Sequence, residues 1–522
     1  FAELIQNASQ QEKVSDGLMA HYTFDGDDYD PTAATAEFID VSGNGESGDA
    51  TSSPDTEFGT AGATTTDPTA NSDYARAITA DATTLYVTGS CDGCGTLGNN
   101  AYHTVAIDKA TGDYIWATTT DPTANSDVAT AITADATTLY VTGTCNGCGT
   151  LGSRAYHTVA IDKATGSLLW ATTTDPTAGF DEAQAITADA TTLYVTGRCT
   201  GCGTLGDYAY HTVAIDKATG DFVWATTTDP TASTDSASAI TADATTLYVT
   251  GYCNGCGTLG SDAYHTVAID KATGDFIWAT TTDPTANNDR ARAITADAST
   301  LYVTGYCNGC GSVGGNAYHT VAIDKASGDF VWATTTDPTA SFDYAYAITA
   351  DATTLYVTGY CNGCGTVGSR AYHTVAIDKA SGDFVWATTT DPTASTDSAY
   401  AITADATTLY VTGVRDTDFS SKGSYHTIKL YKTDGASVDG SRTSGDGPEV
   451  TRGRLGQGLA FNGTNDKVDT LTLSAASDLS LSLWLRPDDV TDRPILTFGS
   501  GKTLALDTSG TPTTTGLTNS TL

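Results

Sequence analysis

Residues 75–122 read ARAITADATTLYVTGSCDGCGTLGNNAYHTVAIDKATGDYIWATTTDP, four short apolar or β-branched runs parted by turn signals. The runs predict strands over 75–80, 85–88, 103–108 and 114–119, with DATT and KATGD as the turns inside two hairpins. The string ATTTDPTA recurs from Ala63, Ala117, Ala171, Ala225, Ala279, Ala333 and Ala387, every 54 residues, so the unit is present seven times. Four strands repeated seven times predict an all-β, seven-bladed propeller. Radial closure leaves only short sheet edges, and the coils of a parallel β-helix are shorter than this unit.

The seventh copy is incomplete. Six copies end in a tryptophan (Trp116, Trp170, Trp224, Trp278, Trp332, Trp386), whereas the last runs from Ile428-Lys429-Leu430 into DGASVDGSRTSGDG. One period before Trp116 falls in residues 55–63, so this segment is expected to supply the outer strand of the last blade. The text AIDKATGDYIW resembles the A-x-D-x-x-x-G-x-x-x-W docking motif of quinoprotein-type propellers, in which the Trp packs between blades. That pattern also occurs in scaffold and binding propellers without a cofactor. Quinoprotein dehydrogenases usually have eight blades and an adjacent cysteine pair. This chain has seven copies and no adjacent cysteines, so no quinone is expected.

The flanks read as halves of one module. His21 to Asp25 (HYTFD), Asp40 to Gly45 (DVSGNG), Gly458 to Val468 and Ser480 to Pro487 resemble, in order, motifs of the laminin-G-like, concanavalin-type jelly roll. The resemblance implies a β-sandwich built from 17–52 and 441–522, with the propeller, 53–440, inserted between them. Insertion is cheap because a closed ring brings its ends together. Later family strands have no counterpart before Leu522, which suggests a smaller sandwich or completion by a neighbouring copy. Residues 1–16, with Phe1, Leu4 and Ile5, are either a donor strand or a frayed helical terminus.

All twelve cysteines stand in Cys-x-Gly-Cys pairs after the second strand. The pairs are Cys91 with Cys94, Cys145 with Cys148, Cys199 with Cys202, Cys253 with Cys256, Cys307 with Cys310, and Cys361 with Cys364. Disulfides and an oxidising compartment are the expected reading. Covalent haem fails because Gly95 stands where a His is needed, and thioredoxin-like chemistry fails for want of a helix N-terminus. Zinc would need the pair plus the His of AYHT. Copy seven carries Arg415 and Asp418 for the cysteines yet keeps His426, so the His is read as a hydrogen-bonded strand residue. Asp25, Asp27, Asp28 and Asp30 are the candidate calcium ligands, and no other cofactor is expected. Asn7, Asn462 and Asn519 lie in N-x-S/T triplets, the candidate glycosylation sites.

Variation among the copies falls at two positions before and within the first strand, and in the Cys loop. It gives Tyr74, Arg76, Glu182, Arg290, Arg292, Tyr344, Tyr346 and Tyr400 on one face, either a binding surface or drift after duplication. With 62 acidic and 24 basic residues among 522, the net charge of −38 excludes nucleic acid and anionic membrane as partners. No apolar run is long enough to span a bilayer. The chain begins at Phe1, which is read as a processed, secreted or cell-surface protein. Candidate residues recur six or seven times, whereas a catalytic site is built once, so no enzymatic activity is expected. The expected role is an extracellular filament or coat subunit assembled with copies of itself by strand complementation. The alternative is a secreted adhesin or lectin-like protein binding glycans or surface proteins through the variable face or a calcium site.

Overall fold

The computed structural model describes Phe58, residues 63–433 except 70, 340, 366, 367, 394 and 417–422, and the segments 449–453, 456–460, 493–498, 502–506 and 512–515. The chain divides into two compact units, Phe1–Ser52 with Ser444–Leu522 and Ser53–Thr443. In the first, Glu449–Gly453 pairs antiparallel with Gly456–Ala460, and Arg493–Phe498, Lys502–Leu506 and Pro512–Thr515 form a three-stranded antiparallel sheet. Asp25, Asp27, Asp28, Asp30, Asn7, Asn462 and Asn519 lie outside the described residues, as does the donor segment 1–16.

The second unit is the propeller. After strand β1 (Ala63–Thr66), blade one is the antiparallel sheet β2 (Tyr74–Ala80), β3 (Thr84–Cys91), β4 (Ala101–Asp108) and β5 (Tyr114–Thr120). Five further four-stranded sheets repeat it, beginning at Val128, Glu182, Asp235, Arg290 and Tyr344. The strands fall where the repeat text places them, except that β3 runs on into the Cys loop. The first strand of each blade touches the first strands of both neighbours, and β2 touches Ser398–Ala404 of blade seven, so the first strands line the hub of a closed ring.

Blade seven holds Ser398–Ala404, Thr408–Asp416 and Gly423–Tyr431, and its outer strand is β1, paired from Ala63 opposite Ile428 to Thr66 opposite Tyr425. The closing strand therefore starts at the last residue of the segment expected to provide it. Upstream of β1, Phe58 takes the place of the missing tryptophan. Its ring stands 6.0 Å from that of Tyr410, matching the 6.1 Å between Trp116 and Tyr86 in blade one.

The core lies between blades. Tyr86, Tyr102 and Ala106 of blade one pack on Ile132, Leu139, Val141 and Val159 of blade two, and the same contact recurs around the ring. Trp116 reaches across to donate Nε1–H to the Lys163 carbonyl at 3.1 Å. Its ring lies over Gly166, where a Cβ would come within 2.7 Å of it, so only glycine fits.

Two cycles of polar contacts tie the blades. The buried Tyr102 hydroxyl donates to the His157 carbonyl at 3.3 Å, Tyr156 to His211, Tyr210 to His265, Tyr264 to His319, Tyr318 to His373 and Tyr372 to His426. Tyr425 donates to His103 at 3.2 Å and completes the circle. On the DATT side, Lys163 meets Asp81 at 2.8 Å, Lys217 meets Asp135 at 3.0 Å, and so on round to Lys109 with Asp405 at 3.2 Å. Burial opposes ionisation of Asp135, yet the Thr137 amide, the Lys217 ammonium, the Thr138 amide and the Tyr140 hydroxyl hold it at about 2. These contacts explain why both turns are nearly fixed in every copy.

Phe58→Ala is expected to lower stability by about 3 kcal/mol, as for a large core truncation. Chemical denaturation measures this. Phe342→Ala, whose ring is 52% exposed, is expected to move the midpoint by less than about 0.5 kcal/mol.

Candidate binding face

The loops joining β3 to β4, and each blade to the next, emerge together. The second aspartate of every repeat binds them to one another. Asp127 is fully buried and accepts the Thr123 amide at 3.1 Å and the Asn146 amide at 2.8 Å, joining the inter-blade loop to the Cys loop of blade two. Asp73, Asp181, Asp235, Asp289 and Asp343 make the same connections. Burial raises Asp73, Asp235 and Asp289 to about 6, against the pull of those amides. The first aspartate braces the loop from outside, Asp121 Oδ2 accepting the Thr96 amide at 2.6 Å.

Within each Cys loop the two Sγ atoms are bonded. The Cα atoms are 5.5 Å apart for Cys91 with Cys94 and 5.9 Å apart for Cys199 with Cys202. Cys145 is joined to Cys148 with Cα atoms 5.6 Å apart, and Cys253 to Cys256 at 5.7 Å. Cys307 is joined to Cys310, and Cys361 to Cys364, each with Cα atoms 5.8 Å apart. The adjoining histidines are strand residues. His103 Nδ1 lies 3.0 Å from Thr119 Oγ1, and the other copies repeat the contact. Burial lowers His103, His157, His211, His265 and His319 to about 4, and the Arg415 guanidinium joins burial in lowering His426 to about 3.

The variable residues stand at the hub end of this face, and the backbone turns them out. In each first strand the register slips by one residue: Ala75 faces Gly89 and Ala77 faces Thr88, leaving Arg76 as a bulge. Thr130, Gln184, Ser238, Arg292, Tyr346 and Tyr400 occupy the same bulge. Gly89 is needed opposite it, since a Cβ there would strike the Tyr74 carbonyl.

Buried and half-buried side chains, with Arg76 exposed at one end, form a crescent over blades five, six, seven and one that Tyr252 of blade four extends. The Arg290 guanidinium lies 4.2 Å from the Tyr252 ring and its Nε is 2.7 Å from Asp262. Arg290 pairs across the strands with Tyr306, whose ring is 4.7 Å from Tyr344. Tyr344 meets Tyr360 at 5.2 Å, and Tyr346 meets Tyr400 at 5.2 Å. Arg292 faces Tyr346 at 5.8 Å, and Arg76 lies 5.4 Å from Tyr400 and 5.6 Å from Tyr74. Blades two and four offer Val128, Thr130, Ser236 and Ser238 instead. In blade three Glu182 is clasped by Arg154 and by Arg198, whose Nε is 2.9 Å away. The eight residues singled out by repeat comparison thus share the face, with Glu182 set apart from the aromatic run.

One feature was not legible as functional. Each Cys loop carries Thr-Leu-Gly or a variant, and Leu97, Leu151, Leu205 and Leu259 adopt φ of 66°, 60°, 68° and 62°. A left-handed conformation costs a leucine about 1–2 kcal/mol. They are 86–94% exposed, so the fold gains no burial in return. An apolar residue set before glycine in a repeated polar loop was the available signal.

Among known proteins, the profile of a family described as outer membrane protein assembly factor BamB matches residues 101–339. No curated protein matches the chain. Solved structures similar to it include the quinohemoprotein alcohol dehydrogenase of Comamonas testosteroni, 15% identical over 69% of this chain and 67% of that one, with a TM-score of 0.39. The WD40 β-propeller domain of Doa1 is 12% identical over 73% of this chain and 98% of that one, TM-score 0.43. The β-propeller domain of the trilobed protease from Pyrococcus furiosus is 8% identical over 71% and 99%, TM-score 0.40. The family match overturns the expected filament or coat subunit, together with its adhesin alternative, because it groups the repeats with an assembly-factor propeller.

Histidines and buried aspartates pull the acid response in opposite directions. The folded-state pKa of the histidines lies below the ordinary 6.5, so the unfolded chain protonates them first, and their contribution to stability is full above about pH 6.5 and lost toward pH 4. Asp73, Asp235 and Asp289, raised to about 6, take up protons first in the folded chain and offset part of that loss. His211→Gln is expected to reduce proton uptake on unfolding at pH 5 by about one proton per chain, read from the pH dependence of the urea midpoint.

Proposed function

We propose that the chain is a non-catalytic, BamB-like propeller that docks a partner protein on the Cys-loop face. The carrying observation is the set of Leu97, Leu151, Leu205 and Leu259 tips, held out in solvent in left-handed backbone on the face that also carries the tyrosine–arginine crescent. Apolar tips sharing a face with aromatic and guanidinium groups are the composition of a protein-docking surface. The apolar residues on the rim, such as Phe222 at 62% and Val223 at 51%, are far less exposed.

The match to an assembly factor supports this reading over catalysis, and so does charge pairing between copies. Glu182 in blade three is matched by Arg154 in blade two, and Arg290 in blade five by Asp262 in blade four. Unconstrained drift would not place opposite charges together. The flanks are proposed to form the laminin-G-like sandwich, on the strength of their four motifs in order. Calcium at Asp25, Asp27, Asp28 and Asp30 belongs to the same proposal.

A photocrosslinking residue at Leu151 or Arg76 tests the docking face in the native cell. The expected result is a crosslink to a partner polypeptide, lost when Leu97, Leu205 and Leu259 become serine and absent with the probe at Thr191, in a turn on the opposite side. Equal labelling from both sides contradicts the proposal, as would alcohol-dependent dye reduction by the quinone-reconstituted chain.

A further inference from the structure

The Cys loops carry a second chemistry that the docking reading does not use. In blade one, Cys91 and Gly89 lie on the same side of β3, and His103 of β4 stands directly opposite Gly89, one pleat from Cys91. The fixed Cys-x-Gly-Cys turn brings Cys94 back to the same spot. Potential ligand atoms of Cys91, Cys94 and His103 all lie within 4.8 Å of one another. The sets Cys199, Cys202, His211 in blade three and Cys253, Cys256, His265 in blade four do the same. Among the described residues, Cys145 with Cys148, Cys307 with Cys310 and Cys361 with Cys364 make the same turn but do not come with a histidine inside that distance. In the three complete sets the sulfurs are joined in the oxidised chain and free to ligate only after reduction.

We infer that the reduced chain binds zinc in these three Cys₂His pockets, so that each of these loop staples is either a disulfide or a metal. Ligands of a tetrahedral zinc with bonds of about 2.3 Å to sulfur and about 2.0 Å to nitrogen sit about 3.5–3.8 Å apart. Filling the pocket therefore asks the two sulfurs, once reduced, to part by about 1.7 Å from their bonded separation of about 2.05 Å, and the imidazole to close by up to about 1.3 Å. Thr119 Oγ1 engages Nδ1 of His103, Thr227 that of His211 and Thr281 that of His265, leaving Nε2 for the metal and holding the ring in place. Cys91, Cys199 and Cys253 are fully buried, and their histidines are nearly so. Two thiolates and Zn²⁺ sum to zero charge, so the filled pocket buries no net charge beyond the neutral imidazole. A hard, oxygen-seeking cation has no ligand here.

The chemistry balances in two steps. A phosphine reductant and water convert the disulfide to two thiols and a phosphine oxide. Zinc then displaces both thiol protons to solvent and takes the Nε2 lone pair. An oxidant of the disulfide class reverses the exchange, releasing Zn²⁺ as the sulfurs rejoin. Blade seven is an internal negative, with His426 present and both cysteines replaced.

The experiment is native mass spectrometry of the full chain, oxidised or phosphine-reduced, after incubation with zinc and desalting, with far-UV circular dichroism in parallel. The expected result is three retained zinc ions in the reduced chain and none in the oxidised chain. The triple variant H103Q/H211Q/H265Q, reduced, is expected to bind at least tenfold more weakly. If reduction alone unfolds the chain, zinc is expected to restore the β spectrum. No retained zinc in the reduced chain, equal retention in the oxidised chain, undiminished affinity in the triple variant, or an unfolded reduced chain that zinc fails to restore would each overturn the inference.

Discussion

The structure depends on a hydroxyl that has nowhere to go but the next blade. Tyr102 and its six counterparts are shut away from water, and a buried hydroxyl without a partner costs about 1–3 kcal/mol. Each finds the carbonyl of the histidine in the following blade, and Tyr425 finds His103 in the first. The contact is directional and repeats at one distance, so it fixes the rotation from blade to blade. A ring that closes satisfies every hydroxyl, while an open one leaves Tyr425 without its acceptor. The apolar core has the same logic, since each cluster spans two blades and a lone blade could bury neither side.

On that frame the two faces diverge. The DATT and KATG turns are occupied by the lysine–aspartate cycle, whose members are committed to one another. Their near-identity in every copy follows from that commitment. The opposite face separates support from display. Its buried aspartates and disulfides hold the loops, while the bulged residue of each first strand and the end of each Cys loop, after the tip, are free to differ. This division lets one propeller carry a crescent of tyrosine and arginine on some blades and small polar residues on others.

Much of this was legible in the repeat. Seven copies, four strands, the closure by an N-terminal strand and the packing of the Trp between blades all follow from fixed text. The six cysteine pairings follow from it too, because each Cys has a partner three residues away and no other at that range. Comparing copies also found Tyr74, Arg76, Arg292, Tyr346 and Tyr400, although not the bulge that presents them, because a one-residue slip leaves no mark in the alternation. Phe58 was hidden since the sequence around it no longer matches the repeat and only its contact with Tyr410 reveals the substitution. The leucine tips were hidden for the opposite reason. They recur so regularly that they read as part of the turn, and a positive φ at a leucine is not a sequence signal. The jelly-roll motifs of the flanks rest, Gly458–Ala460 apart, on residues outside those described.

The central claim is that the N-terminal strand completes the last blade and so closes the ring, and hydrogen–deuterium exchange across the β1 and Gly423–Tyr431 pairing tests it most directly. The account predicts that amides of Ala63–Thr66 are protected to the same extent as those of Tyr114–Thr120, the equivalent outer strand in blade one. Exchange of Ala63–Thr66 at the rate of a free peptide, while Tyr114–Thr120 stays protected, would mean an open ring and would contradict it.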